Sequence, residues 1–201
     1  MQHPLMITFF AAILLLLITP GPGVLSTAGV GSAFGSKAGY SYMTGLCIGS
    51  NLVMLAVVTG LAALVFGIPG IREVLLIASA LYLVYLAGRI ALSGSKIAFI
   101  EAQSPPGIWN GITLQFINPK AYVVGTTLFS GFSFMPEAPL LETVLKFLII
   151  NAVWIPVHIG WLMAGVSLRR LNLSHGWQRA INVGMALAML CVVGLAVRPL
   201  L

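Results

Sequence analysis

An all-α integral membrane protein, with six transmembrane helices in two inverted three-helix repeats whose first helices are broken, is the fold class that the sequence predicts. Three observations predict it. Hydrophobic residues make up 59% of the 201 and charged residues only 7%, with a mean hydropathy of +1.05. A soluble domain carries roughly 25% charged residues, so this chain has little polar surface for water and its solvent is mostly lipid. Six apolar segments can be drawn, at about 5–30, 40–67, 72–92, 110–134, 140–166 and 180–198, each near the ~20 residues that a helix needs to cross ~30 Å of hydrocarbon. The first and fourth are interrupted by proline, and Pro20 and Pro119 lie 99 residues apart.

The first segment follows Met1-Gln2-His3-Pro4, which holds no Lys or Arg, and no small-residue cleavage pattern precedes its break. It reads as a retained span rather than a removable signal peptide. Its interruption is Thr19-Pro20-Gly21-Pro22-Gly23. Proline has no N–H and clashes with the carbonyl four residues back, so Pro20 frees the carbonyl of Leu16 and Pro22 that of Ile18. Glycines at four-residue spacing follow, Gly31, Gly35 and Gly39, then Gly45 and Gly49 in the second span. Small residues at that interval let helix backbones approach closely. Ser50 and Asn51 beyond them are polar at depth and are candidates for lining a cavity.

Gly67-Ile68-Pro69-Gly70 separates the second span from the third, and Ser93 to Trp109, containing Ser104-Pro105-Pro106-Gly107, is the polar connection between the halves. The fourth span carries the second break, Asn118-Pro119-Lys120-Ala121, in which Pro119 frees the carbonyl of Gln115. Lys120 is read as the one charge plainly within a span, and an intramembrane charge is a functional-site hypothesis by default. Met135-Pro136-Glu137-Ala138-Pro139 leads to the fifth span, where Asn151 and His158 sit with Trp154 and Pro156. No span holds an Asp or Glu at its middle, so His158 is the titratable candidate for proton coupling. A hydrogen-bonded structural histidine is the competing reading.

Strands are excluded because membrane barrel strands alternate over about ten residues, and these runs do not. Counting basic residues by side, Lys37, Arg89, Lys96, Arg169, Arg170 and Arg179 fall in odd loops and Arg72, Lys146 and Arg198 opposite. Six against three places the odd loops in the cytoplasm and both termini outside it. The whole chain, 1–201, reads as one transmembrane domain, repeat one over about 5–92 and repeat two over about 110–198. Three spans per repeat is an odd number, so the second repeat enters from the opposite side. Each proline then lies about ten residues, or ~15 Å, deep. Interrupted spans at matching places of two halves point to a transporter site at mid-membrane. The breaks face protein or a wet cavity, because lipid cannot satisfy freed backbone groups.

The candidate substrate-binding residues are therefore Thr19, Pro20, Gly21, Pro22, Gln115, Asn118, Pro119 and Lys120, with Asn51, Asn151 and His158 as candidates for coupling or cavity lining. A cation beside a helix break suits a carboxylate. Basic residues stand singly between apolar runs, which argues against nucleic acid and for membrane orientation. No metal-ligand cluster, cofactor motif, nucleophile–base pair or catalytic residue emerges. The glycine-rich faces would also suit a homodimer.

The TPGPG stretch, the glycine ladder and the NPKA stretch resemble the LysE/RhtB family of bacterial amino-acid exporters. Leu114-Gln115-Phe116-Ile117-Asn118-Pro119-Lys120, and Gly165-Val166-Ser167-Leu168-Arg169-Arg170 followed by Asn182, extend the likeness over essentially the whole chain. They look closest to the branch that includes cysteine and O-acetylserine exporters. The resemblance implies efflux of amino acids or close derivatives across the bacterial inner membrane, driven by the proton gradient or membrane potential, with roles for Pro20, Gly21, Pro22, Asn118, Pro119 and Lys120. Gly23 stands where many members have Asn, and Asn151 and His158 stand in a fifth span where some carry an acid. The alternative, a membrane thiol–disulfide electron carrier of related three-plus-three plan, needs a cysteine in each broken helix. Cys47 and Cys191 fall in the second and sixth spans instead.

Overall fold

A computed structural model describes residues 2–19, 21–91 and 104–171, with positions 176–177, 179–181, 183–184, 186–188 and 191 of a C-terminal segment. Its described residues form helices and no strand: α1 (Gln2–Ile18), α2 (Pro22–Phe34), α3 (Ser36–Val58), α4 (Leu61–Phe66), α5 (Ile71–Ala91), α6 (Ile108–Ile117), α7 (Pro119–Ser130) and α8 (Pro139–Arg170). Helix is the secondary structure in which a single segment satisfies its own backbone in lipid.

Among the described residues three helices are long and apolar enough to cross a membrane: Ser36–Val58, Glu73–Ile90 and Pro139–Arg170. Leu5–Ile18 and Pro22–Phe34, bent by 49° at the first break, make a fourth if counted as one span. Most of the sixth expected span, 180–198, and Pro20, Lys96, Asn182 and Arg198 lie outside the described residues.

Several boundaries differ from the expectation. The loop expected between the first two spans shrinks to Gly35, whose φ of 85° makes the turn and whose N–H caps α2 on Gly31 O at 3.0 Å. A left-handed φ favours glycine because a Cβ would clash. The second span divides at Gly60, φ 78°, so that α3 and α4 replace one helix over 40–67. The fourth is two short helices of 10 and 12 residues. The fifth lengthens to 32 residues, and two charges near its start, Glu142 and Lys146, are both buried within the bundle. Lys120 is therefore not the one charge within a helix of the bundle.

Glu142 and Lys146 pair at 2.7 Å, one turn apart. Lys146 Nζ also donates to the carbonyls of Phe129 and Phe132, while Glu142 accepts the N–H groups of Phe134 and Met135. The pair thus replaces the hydrogen bonds missing at the end of α7 and in the turn after it. Phe9 of α1 packs on the same ammonium.

Two hydrophobic clusters stack along the bundle. One joins Val30, Tyr42, Leu46, Leu83, Leu114 and Leu162 from α2, α3, α5, α6 and α8. The other joins Phe9, Ile13, Met54, Leu128, Phe134 and Ile150 from α1, α3, α7, α8 and the α7–α8 turn. The expected packing role of the glycines appears in the half that holds α2 and α6. A Cβ on Gly45 would come within 2.7 Å of the Ile108 carbonyl carbon, one on Gly111 within 2.6 Å of Leu46 N, and one on Gly165 within 2.8 Å of the Ala28 carbonyl carbon. Backbone meets backbone at these crossings. At the same end Arg169 donates to the Ala33 carbonyl at 3.1 Å, a cation on the C-terminal turn of α2.

Candidate functional site

Both breaks open onto one cavity of about 70 Å³, lined by residues of α1, α2, α3, α6, α7 and α8. That is several times the ~10–15 Å³ that one water requires.

At the second break Asn118 ends α6 and begins α7. Its Oδ1 accepts the Lys120 N–H at 3.1 Å, capping α7, with Pro119 at the first helical position, where its missing N–H costs nothing. Its Nδ2 donates to Gln115 Oε1 at 3.1 Å, and Gln115 Nε2 passes the chain to Ser50 Oγ on α3. The Gln115 carbonyl expected to be free accepts the Asn118 N–H at 3.3 Å. This break is internally satisfied.

The first break is not closed in that way. Thr19 donates through both its N–H and its hydroxyl to the Leu15 carbonyl, ending α1. Its own carbonyl is taken by Lys120 Nζ at 2.6 Å, so the ammonium at the α6–α7 break holds the open carbonyl at the α1–α2 break. Gly21 permits this: a Cβ there would lie 2.9 Å from Lys120 Cδ and 3.0 Å from Nζ. Gly21 also precedes α2 without any side-chain cap, and the positive end of α2 faces the cavity through Gly23 and Val24. The Gly23 carbonyl accepts the hydroxyls of Ser26 at 2.9 Å and Thr27 at 2.8 Å, and Tyr42 of α3 reaches Ser26 Oγ at 3.0 Å. The first turn of α2 is thereby fixed to α3.

From α8, His158 enters the same cavity. Its ring stacks on Trp154 with centroids 3.5 Å apart and planes at 13°. Nδ1 lies 2.9 Å from the Trp154 carbonyl. A carbonyl can only accept, so Nδ1 carries the proton, and in the neutral ring Nε2 presents a lone pair.

Of the residues named from sequence, Gly21, Gln115, Asn118, Lys120 and His158 line the cavity. Thr19 contributes its carbonyl through Lys120. Pro22 is buried at the start of α2 and Pro119 is half-buried at the start of α7. Pro20 lies outside the described residues. Asn51 and Asn151 do not line the cavity; they bind each other. Asn51 Nδ2 donates to Asn151 Oδ1 at 2.9 Å and Asn151 Nδ2 to Asn51 Oδ1 at 2.8 Å. Each amide also donates to the carbonyl four residues back in its own helix, at 2.9 Å. The two asparagines are 100 residues apart, nearly the spacing of the proline breaks.

Ser50, expected from sequence as a cavity-lining candidate, does line the cavity, while Gly23 and Trp154 join the site without having been named as binding residues. The i,i+4 spacing of Trp154 and His158 was the available signal for the last of these. Among the described residues no group of three or more His, Cys, Asp or Glu could hold a metal ion.

The family model of the LysE type translocator matches residues 14–198. The chain belongs to the LysE family. It is similar to proteins described as cysteine/O-acetylserine efflux proteins. In Escherichia coli (strain K12) and Shigella sonnei (strain Ss046) the identity is 28% over 195 residues, covering 96% of this chain and 98% of each relative. In Shigella flexneri it is 28% over 191 residues, covering 94% and 96%. No solved structure matches. As a LysE-type translocator the protein is a membrane efflux transporter and not an enzyme, of a family whose members are multi-pass inner-membrane proteins. That membership goes against the thiol–disulfide carrier. Cys47 and Cys191 are both free, on α3 and in the C-terminal segment.

Proposed function

We propose that this LysE-type translocator exports a small amino acid or close derivative from the cytoplasm, as a secondary transporter driven by the proton gradient or membrane potential. Cysteine and O-acetylserine, from the names of its relatives, are the first substrates to test. The observation that carries the reading is the bridge from Lys120 Nζ to the Thr19 carbonyl. It places a cation, an uncapped helix N-terminus and a cavity at the junction of two broken spans. A substrate carboxylate would draw the ammonium from Thr19 and rest between it and the first turn of α2, where the helix dipole adds to the attraction. The lining holds no acid to oppose it.

The spans complete a single domain of two inverted three-helix repeats, about 5–92 and 110–198, with both termini outside the cytoplasm. The reciprocal Asn51–Asn151 pair supports this plan, since equivalent residues of inverted repeats meet on the axis relating them. Alternating access then follows from rocking one repeat against the other. The backbone contacts through Gly45, Gly111 and Gly165 fall in the half assigned to the cytoplasm, so this conformation is closed on that side.

Inside-out vesicles bearing the protein are expected to accumulate radiolabelled L-cysteine or O-acetyl-L-serine under an imposed proton gradient and to lose it when the gradient is collapsed. Accumulation of no amino acid under any gradient would contradict the proposal.

A further inference from the structure

His158 is 3% exposed, so it is a polar side chain withdrawn from bulk solvent. Its Nδ1 is committed to the Trp154 carbonyl, and its ring is held flat by the Trp154 indole. Nε2 makes no hydrogen bond among the described residues and is directed at Gly23. A Cβ on Gly23 would stand 3.7 Å from Nε2 and 4.0 Å from Gln115 Nε2. The absent side chain of Gly23 is what opens this recess. A lone pair aimed into a cavity invites a hydrogen-bond donor.

Lys120 faces Gly21 and His158 faces Gly23. Two residues of chain span at most about 7 Å, which is the scale of one small amino acid. A zwitterion with its carboxylate at Lys120 has its ammonium repelled from that cation. Among the lining residues no carboxylate is present to receive it. We infer that the recess between Gly23, Ser50, Gln115 and His158 is the ammonium subsite, with His158 Nε2 accepting a hydrogen bond from the substrate's ammonium group. This deepens the export reading and rests on it.

The same lone pair also binds a proton. A proton entering from outside takes Nε2, the imidazolium repels the ammonium, and the zwitterion leaves. After the repeats rock, the proton passes to the cytoplasm, and the freed lone pair accepts the next ammonium. One proton enters for each zwitterion exported, without a buried carboxylate. Lys120 of α7 is the charged residue that lines the cavity with His158; the other lining positions, among them Leu17 of α1, Gly23 of α2, Ser50 of α3, Gln115 of α6 and Trp154 of α8, do not titrate.

The test uses purified full-length protein in liposomes, with radiolabelled L-cysteine under reducing conditions as the probe. Exchange of internal for external L-cysteine, with no gradient, measures substrate handling alone. Wild-type exchange should fall as both sides are acidified, because a proton on Nε2 removes the acceptor. His158→Gln should weaken exchange at the alkaline end, and what exchange remains should lose the acid sensitivity and no longer respond to a pH gradient. Deaminated cysteine, 3-mercaptopropionate, should compete poorly with wild type. Gly23→Ala, whose new methyl makes only ordinary contacts, should fold normally and weaken exchange about tenfold, the worth of one charged hydrogen bond. The inference is overturned if wild type exchanges L-cysteine and His158→Gln keeps the acid sensitivity and gradient response, or if Gly23→Ala exchanges like wild type. Absence of amino-acid exchange by wild type overturns the export reading itself.

Discussion

Gly45→Ala tests whether the bundle closes through backbone contact. The added Cβ would lie 2.7 Å from the Ile108 carbonyl carbon, against the 3.4 Å at which ordinary contact begins. At that carbon alone α3 and α6 must part by about 0.7 Å, and the obstacle is backbone that cannot rotate away. Forcing an extra methyl group into a packed core costs about 1–3 kcal/mol. For a chain of this size each kcal/mol moves the melting temperature by about 2–4 °C, so the variant should melt about 2–12 °C lower. Gly88→Ala is the matched control: nothing lies within 4 Å of its Cβ, and alanine is the better helix former by about 1 kcal/mol. Thermal unfolding in detergent, followed by tryptophan fluorescence, reads both. If Gly45→Ala melts no lower than Gly88→Ala, the α3–α6 crossing is not the contact described.

Two further predictions concern polar pairs in the bundle. Asn51→Leu and Asn151→Leu should each lower stability by about 0.6–1.7 kcal/mol, the range for interhelical hydrogen bonds in membranes. The double variant should cost clearly less than the two singles together, and additive unfolding energies would dissolve the pair. Lys146→Met should destabilise by about 3–5 kcal/mol, because Glu142 is left as an unpaired buried charge. Adding Glu142→Gln should recover part of that loss, and a double variant as unstable as the sum would refute the coupling.

Sequence exposed the breaks because proline and asparagine act locally. Asn118 capping α7 with Pro119 behind it follows from residue type and order alone, as does the approach of backbones at Gly45. The short turn at Gly35 was hidden because Ser36 and Lys37 read as loop residues, although one glycine with positive φ reverses the chain. Lys146 was counted with the loop charges, yet its four-residue spacing from Glu142 on a helix was the visible sign of a pair. The mutual bond of Asn51 and Asn151 depends on the rotation of two helices about their axes, which composition does not encode. The same holds for Lys120. Sequence marked it as a cation at a break, but its hold on the Thr19 carbonyl required both halves to be in place.

The central claim, that a substrate carboxylate lies at Lys120 between the two broken spans, is tested most directly by equilibrium binding to purified protein. Radiolabelled L-cysteine and its decarboxylated analogue cysteamine would be compared on wild type and Lys120→Met. Loss of a charge-assisted contact is worth about 1.5–3 kcal/mol, so L-cysteine binding should weaken about ten- to a hundredfold while cysteamine binding holds or improves. Equal L-cysteine affinity in the two proteins would contradict the account.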